Sequence, residues 1–294
     1  MDLIEFGNKM KKAVLKELGE DTQVEFKTVR KNNDQELYGM LIRENQRVAV
    51  PTFYLDGYFQ EYKKGTTFKQ IFEKLMEIYR STPKEDVDLS FFEVYDKVKD
   101  RICYRLINLE ENREYLEDLP YVQYLNLAIC FYYAFNSEAL GEGSIMIHHS
   151  FMERWGVTVE ELLKQAEENT CRLYPPYLES VEKLVIESLG LERLPVKNDV
   201  IPLDVLSNNK RDFGAISILY PGMLKLYAKR CGGNFFIIPS SVHEVLLMRD
   251  TGEENPENFK QMIAEVNDFH LPKEEFLSND LYYYDSAEET VLVL

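Results

Sequence analysis

Histidine and cysteine are few in this chain, and basic residues are outnumbered by acidic ones, an imbalance that excludes some classes of protein. Its 294 residues contain four His, four Cys and 34 Lys and Arg against 51 Asp and Glu, for a formal net charge of −17. A general nucleic-acid-binding protein neutralises phosphates with clustered Lys and Arg, so direct nucleic-acid binding is not expected. The same charge argues against docking on an anionic membrane surface.

The four cysteines, Cys103, Cys130, Cys171 and Cys231, are widely spaced, and no C-x-x-C is present. This spacing is typical of reduced, mostly buried thiols in a cytosolic protein rather than of a disulfide framework or a zinc ribbon. The longest apolar stretch, residues 119–135, is interrupted by polar residues and is shorter than the roughly 20 residues that cross a bilayer as a helix. Because the first residues also lack a secretory signal pattern, we expect a cytoplasmic protein without a membrane partner.

Phosphate-binding glycine motifs are missing as well. No G-x-x-x-x-G-K-[ST] occurs, and no G-x-G-x-x-G follows a predicted strand. Such loops present backbone amides to phosphate groups, so the sequence offers no nucleotide site and predicts no cofactor.

What the sequence does contain is apolar material at regular spacing. Hydrophobic residues make up 45% of the chain, which is enough for a packed core. Helical spacing and capping residues predict helices over residues 3–18, after Thr67, Ser90 and Thr158, over 176–189, and after Asn255. The last of these is expected to carry a set of apolar residues on one face: Phe259, Met262, Ile263, Val266 and Phe269.

Apolar stretches between these helices predict strands. A small antiparallel meander is expected near the N-terminus, followed by one central strand over residues 121–135 that is covered on both faces. The meander comprises residues 23–28, 37–42 and 47–50. Further strands are expected at residues 144–148, 215–219, 235–238, 245–248, 281–284 and 290–294.

This order of elements predicts an α+β protein. We expect a small N-terminal helix–meander–helix unit over residues 1–85. A larger mixed domain over residues 86–294 is expected to have a central, largely antiparallel sheet flanked by helices, with a Pro-containing loop at residues 194–202.

The histidines are few enough to consider one by one. His148 and His149 are adjacent, on or beside a predicted strand, so their side chains are expected to point to opposite faces and not to share a metal. His243 and His270 lack the spacing that places two imidazoles on one helical face. Structural histidines are therefore favoured and no metal site is predicted, while an acid–base or metal role for His148 or His149 stays open.

Ser240 and Ser241 lie close to His243, and a serine needs a nearby base to become a nucleophile. No G-x-S-x-G elbow surrounds them. Ser241 and Glu244 stand at capping-box spacing, which favours a hydroxyl that caps a short turn. Ser240 and His243 stay weak catalytic candidates.

Acidic residues concentrate near the end of the chain. Between residues 241 and 294, 13 acidic residues face three basic ones, so −10 of the net charge of −17 lies there. Such a field guides a basic partner or imitates a phosphate backbone, although solubility is the competing explanation. Asp280, Asp285, Glu288 and Glu289 are the predicted interaction residues.

Four blocks of the sequence are similar to a known family. They are residues 119–133, residues 144–150, Trp155-Gly156 ahead of residues 168–176, and residues 236–245. Together they resemble domain-of-unknown-function family 5688 of Firmicutes-type bacteria, over nearly the whole chain. The second half is also loosely similar in element order to the YtpQ-like family. Neither resemblance implies a reaction or a catalytic residue.

A non-catalytic interaction or regulatory module with a basic protein partner is the leading functional prediction, because no nucleophile, metal or phosphate constellation is complete. The first alternative is a hydrolase or metal-dependent enzyme that uses His148 and His149, in which one ring meets a carboxylate, Cys or Ser. The second is an acidic decoy that imitates nucleic acid, with carboxylates along one exposed face.

Overall fold

The computed structural model describes residues 1–19, 21–44, 51–82, 90–137, 141–190 and 203–294. These residues form two compact units. The first consists of Met1–Phe92 and Phe135–Gly143, and the second of Glu93–Ala134 and Ser144–Leu294. The predicted boundary at residue 85 lies outside the described residues, and independent folding of residues 1–85 stays a prediction.

The first unit packs helices against a small antiparallel sheet. Its main elements are α1 (Leu3–Leu18), β1 (Gln23–Lys31), β2 (Gln35–Arg43), β3 (Thr52–Tyr54), α2 (Leu55–Lys63) and α3 (Phe68–Ser81). The strand order is β1-β2-β3, with antiparallel pairing throughout. Phe6, Met40 and Leu75, from α1, β2 and α3, are buried in one shared core. Removing such apolar side chains from water is the main driving force for this packing.

The predicted capping box of Thr67 and Gln70 is confirmed. The amide of Gln70 donates to Thr67 Oγ1 at 3.3 Å, and the amide of Thr67 donates to Gln70 Oε1 at 3.1 Å, which closes the predicted box at the start of α3. Asp2 and Glu5 form an equivalent box that the sequence analysis missed. The predicted strand at residues 47–50 lies outside the described residues, and β3 is the third strand of the sheet.

Two antiparallel sheets organise the second unit. A six-stranded sheet has the order β13-β12-β10-β11-β9-β8, and a four-stranded sheet has the order β4-β6-β5 with β7 also paired to β6. The strands are β4 (Ile102–Asn108), β5 (Tyr121–Tyr124), β6 (Leu127–Ser137), β7 (Gly141–Met146), β8 (Pro176–Ser180), β9 (Leu203–Asn208), β10 (Phe235–Ser241), β11 (Glu244–Arg249), β12 (Tyr282–Asp285) and β13 (Thr290–Val293). Residues 135–137 of β6 and 141–143 of β7 belong to the first unit.

Helices of very different lengths flank these strands. They are α4 (Tyr95–Val98), α5 (Arg113–Leu116), α6 (His149–Trp155), α7 (Val159–Leu173), α8 (Val181–Leu189), α9 (Met223–Cys231) and α10 (Pro256–His270). Ile263 of α10 packs against Phe236 and Ile238 of β10, so this helix covers one face of the six-stranded sheet. The predicted α+β class is confirmed. No helix in the described part of the chain has both the length and the apolar character to cross a membrane.

The predicted single strand over residues 121–135 is wrong. The chain turns at Leu125 and Asn126 and forms the β5–β6 hairpin, with Leu125 in the left-handed region at φ +55°. Asn126 stabilises the turn: its Nδ2 donates to Asp280 at 2.6 Å, and its Oδ1 accepts from the hydroxyl of Tyr282 at 2.7 Å. The polar interruption of the apolar stretch therefore marks a turn.

Three other predicted elements change type. Residues 215–219 form a 3₁₀ helix (Gly214–Leu219) rather than a strand, because a short apolar stretch does not distinguish the two. Pro176 begins the edge strand β8, where its missing N–H is tolerated, and α8 starts only after the cap at Ser180. Ser90 lies within a 3₁₀ helix (Ser90–Glu93) and does not cap an α-helix. The Pro-containing loop at 194–202 lies outside the described residues.

Candidate functional site

His148 forms the closest histidine–carboxylate pair of the second unit's described residues. β7 ends at Met146, and His148 occupies the N-cap position of α6. Its Nδ1 lies 2.7 Å from Asp118 Oδ2, with the two side chains 37% and 72% exposed. One predicted histidine therefore meets a carboxylate, as the enzyme interpretation requires, but the pair lies in solvent.

His149 does not join this pair. It is the first residue of α6 rather than a strand neighbour of His148, so the prediction of two opposite strand faces is wrong. Its backbone N–H donates to the carbonyl of Asp118 at 3.1 Å, while its side chain is exposed. Within the described ranges, no group of three or more His, Cys, Asp and Glu side chains is arranged to hold a metal.

Ser240 lies in β10, and His243 is a residue of the β10–β11 turn. Ser241 stands opposite Glu244 in the hairpin, and its Oγ accepts the backbone N–H of His243 at 3.0 Å. The hydroxyl of Ser241 supports a turn, as predicted, but through the amide of His243 rather than that of Glu244. No hydrogen bond joins Ser240 to the His243 ring among the described contacts, so the geometry shows no serine–histidine dyad.

The His243 ring faces a turn over residues 208–214 instead. Its Nδ1 lies 3.4 Å from Asp212 Oδ1 and accepts the backbone N–H of Phe213 at 3.1 Å. The Asp212 carboxylate raises the pKa of His243, while partial burial opposes that shift. Only an unprotonated Nδ1 can accept the Phe213 amide, so protonation at this nitrogen exchanges that hydrogen bond for an ion pair with Asp212.

The 208–214 turn is held tightly. Asn208 is buried, and its side chain accepts the amide of Lys210 at 3.0 Å and donates to the carbonyl of Asp212 at 2.7 Å. Phe213 has a left-handed backbone at φ +47°, which is uncommon for a bulky residue. A Cβ at Gly214 would lie 2.6 Å from both the Asn208 nitrogen and the His243 carbonyl oxygen. The turn was not predicted from the sequence, although Asn208, Asn209 and Asp212 ahead of Phe213 and Gly214 are turn-forming residues.

Two of the four predicted acidic interaction residues accept hydrogen bonds within the chain, Asp280 from a distant turn and Asp285 from its own turn. Asp280 accepts from Asn126 Nδ2, and Asp285 Oδ1 accepts the amides of Ala287 and Glu288 at 2.9 and 3.2 Å. Their carboxylates are therefore partly used in stabilising the chain.

Of the other two acidic residues, Glu289 has an ion-pair partner and Glu288 has none among the described residues. Glu289 forms an ion pair with Lys225 of α9, and this contact raises the pKa of Lys225. Glu288 is exposed, and the structure describes no partner for its side chain among the residues it covers. Three of the four candidates thus have partners within the chain, and their role as an interaction surface stays a prediction.

An exposed apolar surface lies on α10 instead. We define the apolar stripe as Met262, Val266 and Phe269, which are 42%, 45% and 79% exposed. Their spacing of i, i+4 and i+7 places them along one helical face. The sequence analysis assigned them to the same face as Ile263, but only Ile263 is buried against the sheet.

Buried groups in the described part of the second unit show no activated nucleophile. Burial raises the pKa of Cys103 to about 11 and that of Cys130 to about 12. Both thiols are therefore protonated near neutral pH, whereas a reactive cysteine has a lowered pKa. An open groove of about 790 Å³ in the first unit is lined by Lys11, Lys16 and Glu25 among others, and no predicted site residue lines it.

Comparison with known proteins places the chain in a family. No curated protein and no solved structure matches it. The looser likeness of the second half to the YtpQ-like family stays a prediction. A family model described as a family of unknown function, DUF5688, matches residues 3–286, nearly the whole chain. The chain therefore belongs to the DUF5688 family, as the resemblance of its sequence blocks predicted.

Proposed function

We propose that the protein is a non-catalytic interaction module that binds a basic amphipathic segment of a partner protein along the apolar stripe of α10. The observation that carries this proposal is the exposure of Met262, Val266 and Phe269 together on one helix. The proposal includes a cytoplasmic location, which is based on the spacing of the four cysteines.

The fold does not require these three side chains at the surface. α10 is already anchored by Ile263 and Phe259, which pack with Phe236 and Ile238. Leaving three large apolar side chains of one helical face in water is unfavourable. Contiguous exposed apolar surface of this kind often marks a contact site. Phe269 is the most exposed of them, and aromatic residues are frequent anchors of interfaces.

The negative charge around the apolar stripe indicates that the partner is basic. Glu265 lies three residues after Met262 and four before Phe269, so on a helix it borders the apolar stripe, and Asp268 lies one turn after Glu265 on the same side. Both are exposed, and the surrounding residues 241–294 carry a net charge of −10. A segment with an apolar face bordered by Lys and Arg complements this surface in both shape and sign. A nucleic-acid-imitating surface has less support, because Asp280, Asp285 and Glu289 bond within the chain.

The test uses a labelled synthetic helix with a leucine face and a lysine face, and the full-length protein. We expect saturable binding by fluorescence anisotropy. The double variant Val266→Ser plus Phe269→Ser should weaken binding at least about tenfold, since central apolar anchors contribute about 2 kcal/mol or more to such contacts. Binding should also weaken as salt rises, because exposed charges are screened.

Leu226→Ser is the matched control, because Leu226 of α9 is 61% exposed but lies outside the stripe. It should leave the affinity unchanged, and a peptide with Glu in place of Lys should bind far more weakly. Equal affinity of the wild type and the stripe variant, or no binding of the lysine peptide, would contradict the proposal.

The Asp118–His148 pair supports a second candidate function, a hydrolase that uses His148 as a general base. A carboxylate within hydrogen-bond distance orients an imidazole and favours its charged form during proton transfer. Screening with generic ester and phosphoester substrates tests this function. A turnover that His148→Gln abolishes and His149→Gln preserves would establish it, whereas turnover that survives His148→Gln would remove it.

A further inference from the structure

Arg105 is a buried cation for which the described residues supply no counter-charge. It lies in the middle of β4, in which all seven residues are buried, and it is 7% exposed. Its Nε is enclosed and has no hydrogen-bond partner among the residues that the structure describes. No carboxylate of those residues forms an ion pair with its guanidinium group.

The surroundings of Arg105 are mostly apolar. In the β4–β6 ladder it stands opposite Cys130, and the neighbouring pair on the same face is Cys103 with Tyr132. All three neighbours are buried. A buried charge in a folded protein is normally paired and hydrogen-bonded, because leaving water without compensation is costly. Arg105 therefore lacks the compensation that its position calls for.

The ring of Phe213 lies against the guanidinium. The centre of the guanidinium lies 4.2 Å from the ring centroid, which is a cation–π contact. This contact uses the flat face of the guanidinium, whereas its N–H bonds lie in the plane and point sideways. The ring thus holds the cation in place and leaves its hydrogen-bond donors for another group.

The backbone that presents Phe213 is strained and fixed. Phe213 adopts a left-handed φ of +47°, and a Cβ at Gly214 would lie 2.6 Å from Asn208 and His243 backbone atoms. Left-handed bulky residues persist where the surrounding structure enforces them, and they are enriched at ligand sites. The His243 ring lies 5.5 Å from the Phe213 ring, so a second potential donor adjoins the same side chain.

We propose that Arg105 is the anchor of a binding site for a small oxyanion, a carboxylate or a phosphate group of a soluble metabolite, beside the Phe213 ring. The planar guanidinium presents parallel N–H donors that match two oxygens of such a group, and a ligand bound there supplies the missing counter-charge. The site is distinct from the apolar stripe of α10, and it neither requires nor excludes a protein partner.

The test is a titration of the full-length protein with inorganic phosphate and, separately, with acetate, at constant ionic strength set with chloride. We expect the Nε–H resonance of Arg105 to shift saturably with one or both probes and not with chloride alone. Response to phosphate only assigns a phosphate ligand, and response to acetate only assigns a carboxylate ligand.

Two substitutions at Arg105 and one elsewhere complete the experiment. Arg105→Met should abolish binding measured by calorimetry. Arg105→Lys keeps the positive charge but lacks the parallel N–H donors of a guanidinium, so it should weaken binding at least about tenfold. Arg211→Met is the matched control, because Arg211 also lies over a ring, that of Tyr177 at 4.8 Å, but is exposed. It should bind as the wild type does.

The resonance of Arg105 in the wild type keeps the proposal testable if Arg105→Met fails to fold. No saturable shift with either probe, or an affinity that Arg105→Met and Arg105→Lys leave unchanged, would overturn the proposal. Arg105 would then be a cation that Phe213 alone accommodates.

Discussion

Two histidines of the second unit each meet an aspartate, and the shorter contact is not the one built into the fold. His148 lies 2.7 Å from Asp118, with the two side chains 37% and 72% exposed, so water and salt screen the attraction. His243 lies 3.4 Å from Asp212 with similar exposure, 29% and 67%, but its ring also accepts the amide of Phe213. The hydrogen bond to the backbone, rather than the distance to the carboxylate or the exposure of the pair, couples His243 to the structure.

The largest difference in stability should appear between alanine substitutions at Gly214, next to the His243 turn, and at Gly156, at the end of α6. Gly214→Ala places a Cβ against backbone atoms of Asn208 and His243, and closer still to the hydroxyl of Ser207. We expect the free energy of unfolding to fall by about 3 kcal/mol, because a rigid backbone cannot yield to the added methyl group.

Gly156→Ala, at the C-terminal end of α6, is the matched comparison. Gly156 has φ +67°, and no atom of the described residues lies within 4 Å of the position that an added methyl group would take. Only the left-handed backbone therefore penalises alanine there, by about 1 kcal/mol. Urea unfolding of both variants measures the difference. Equal losses of unfolding free energy in the two variants would show that the 208–214 turn is packed no more tightly than the end of α6.

Asp212→Asn should have an intermediate effect that depends on pH. The carboxylate raises the pKa of His243 above its ordinary value of 6.5, so the ion pair stabilises the folded state fully below pH 6.5. This contribution is lost as the pH rises through the folded-state pKa. The variant should therefore lower the pKa of His243 and lose stability at acidic pH but not at alkaline pH.

An NMR titration of the His243 ring, together with unfolding curves on both sides of pH 6.5, checks this prediction. Asp118→Asn is the control, since it should leave the pKa of His243 unchanged. A His243 pKa that is the same in the wild type and in Asp212→Asn would show that the carboxylate is too well solvated to act on the ring.

The smallest effect is expected for Asp118→Asn itself. Because the pair with His148 is mostly exposed, its loss should change the free energy of unfolding by less than about 0.5 kcal/mol at any pH. Urea unfolding at acidic and neutral pH measures this. A loss above about 1 kcal/mol would place His148 among the structurally coupled histidines and remove the contrast between the two pairs.

Local signals in the sequence predicted the elements that local interactions define. The box at Thr67 and the cap at Asn255 depend on neighbours three residues apart or closer, so their sequence pattern suffices. The α+β class followed from element order. The Leu125–Asn126 turn was missed because it depends on Asp280 and Tyr282, more than 150 residues away.

The candidate sites show the same limit. The small number of histidines singled out His148, but nothing singled out Asp118, which lies 30 residues earlier in a turn after α5. Arg105 carries no local signal at all, since one arginine in an apolar strand resembles an exposed edge residue until its burial is known. The residues of the apolar stripe were predicted on one face together with Ile263, because periodicity identifies an apolar face without showing whether the sheet covers all of it.

The contacts of Asn126 also determine when the second unit can be completed during synthesis. Asn126 bonds Asp280, and Asn108 donates to the carbonyl of Leu277 at 2.9 Å, so the β4–β6 sheet needs residues made more than 150 positions later. At the usual rate of about 5–20 residues per second, the ribosome takes roughly ten to thirty seconds to supply them. During that interval the partly made sheet has unpaired polar groups and uncovered apolar side chains. Nascent chains of this protein are therefore expected to depend on chaperones more than their final stability suggests.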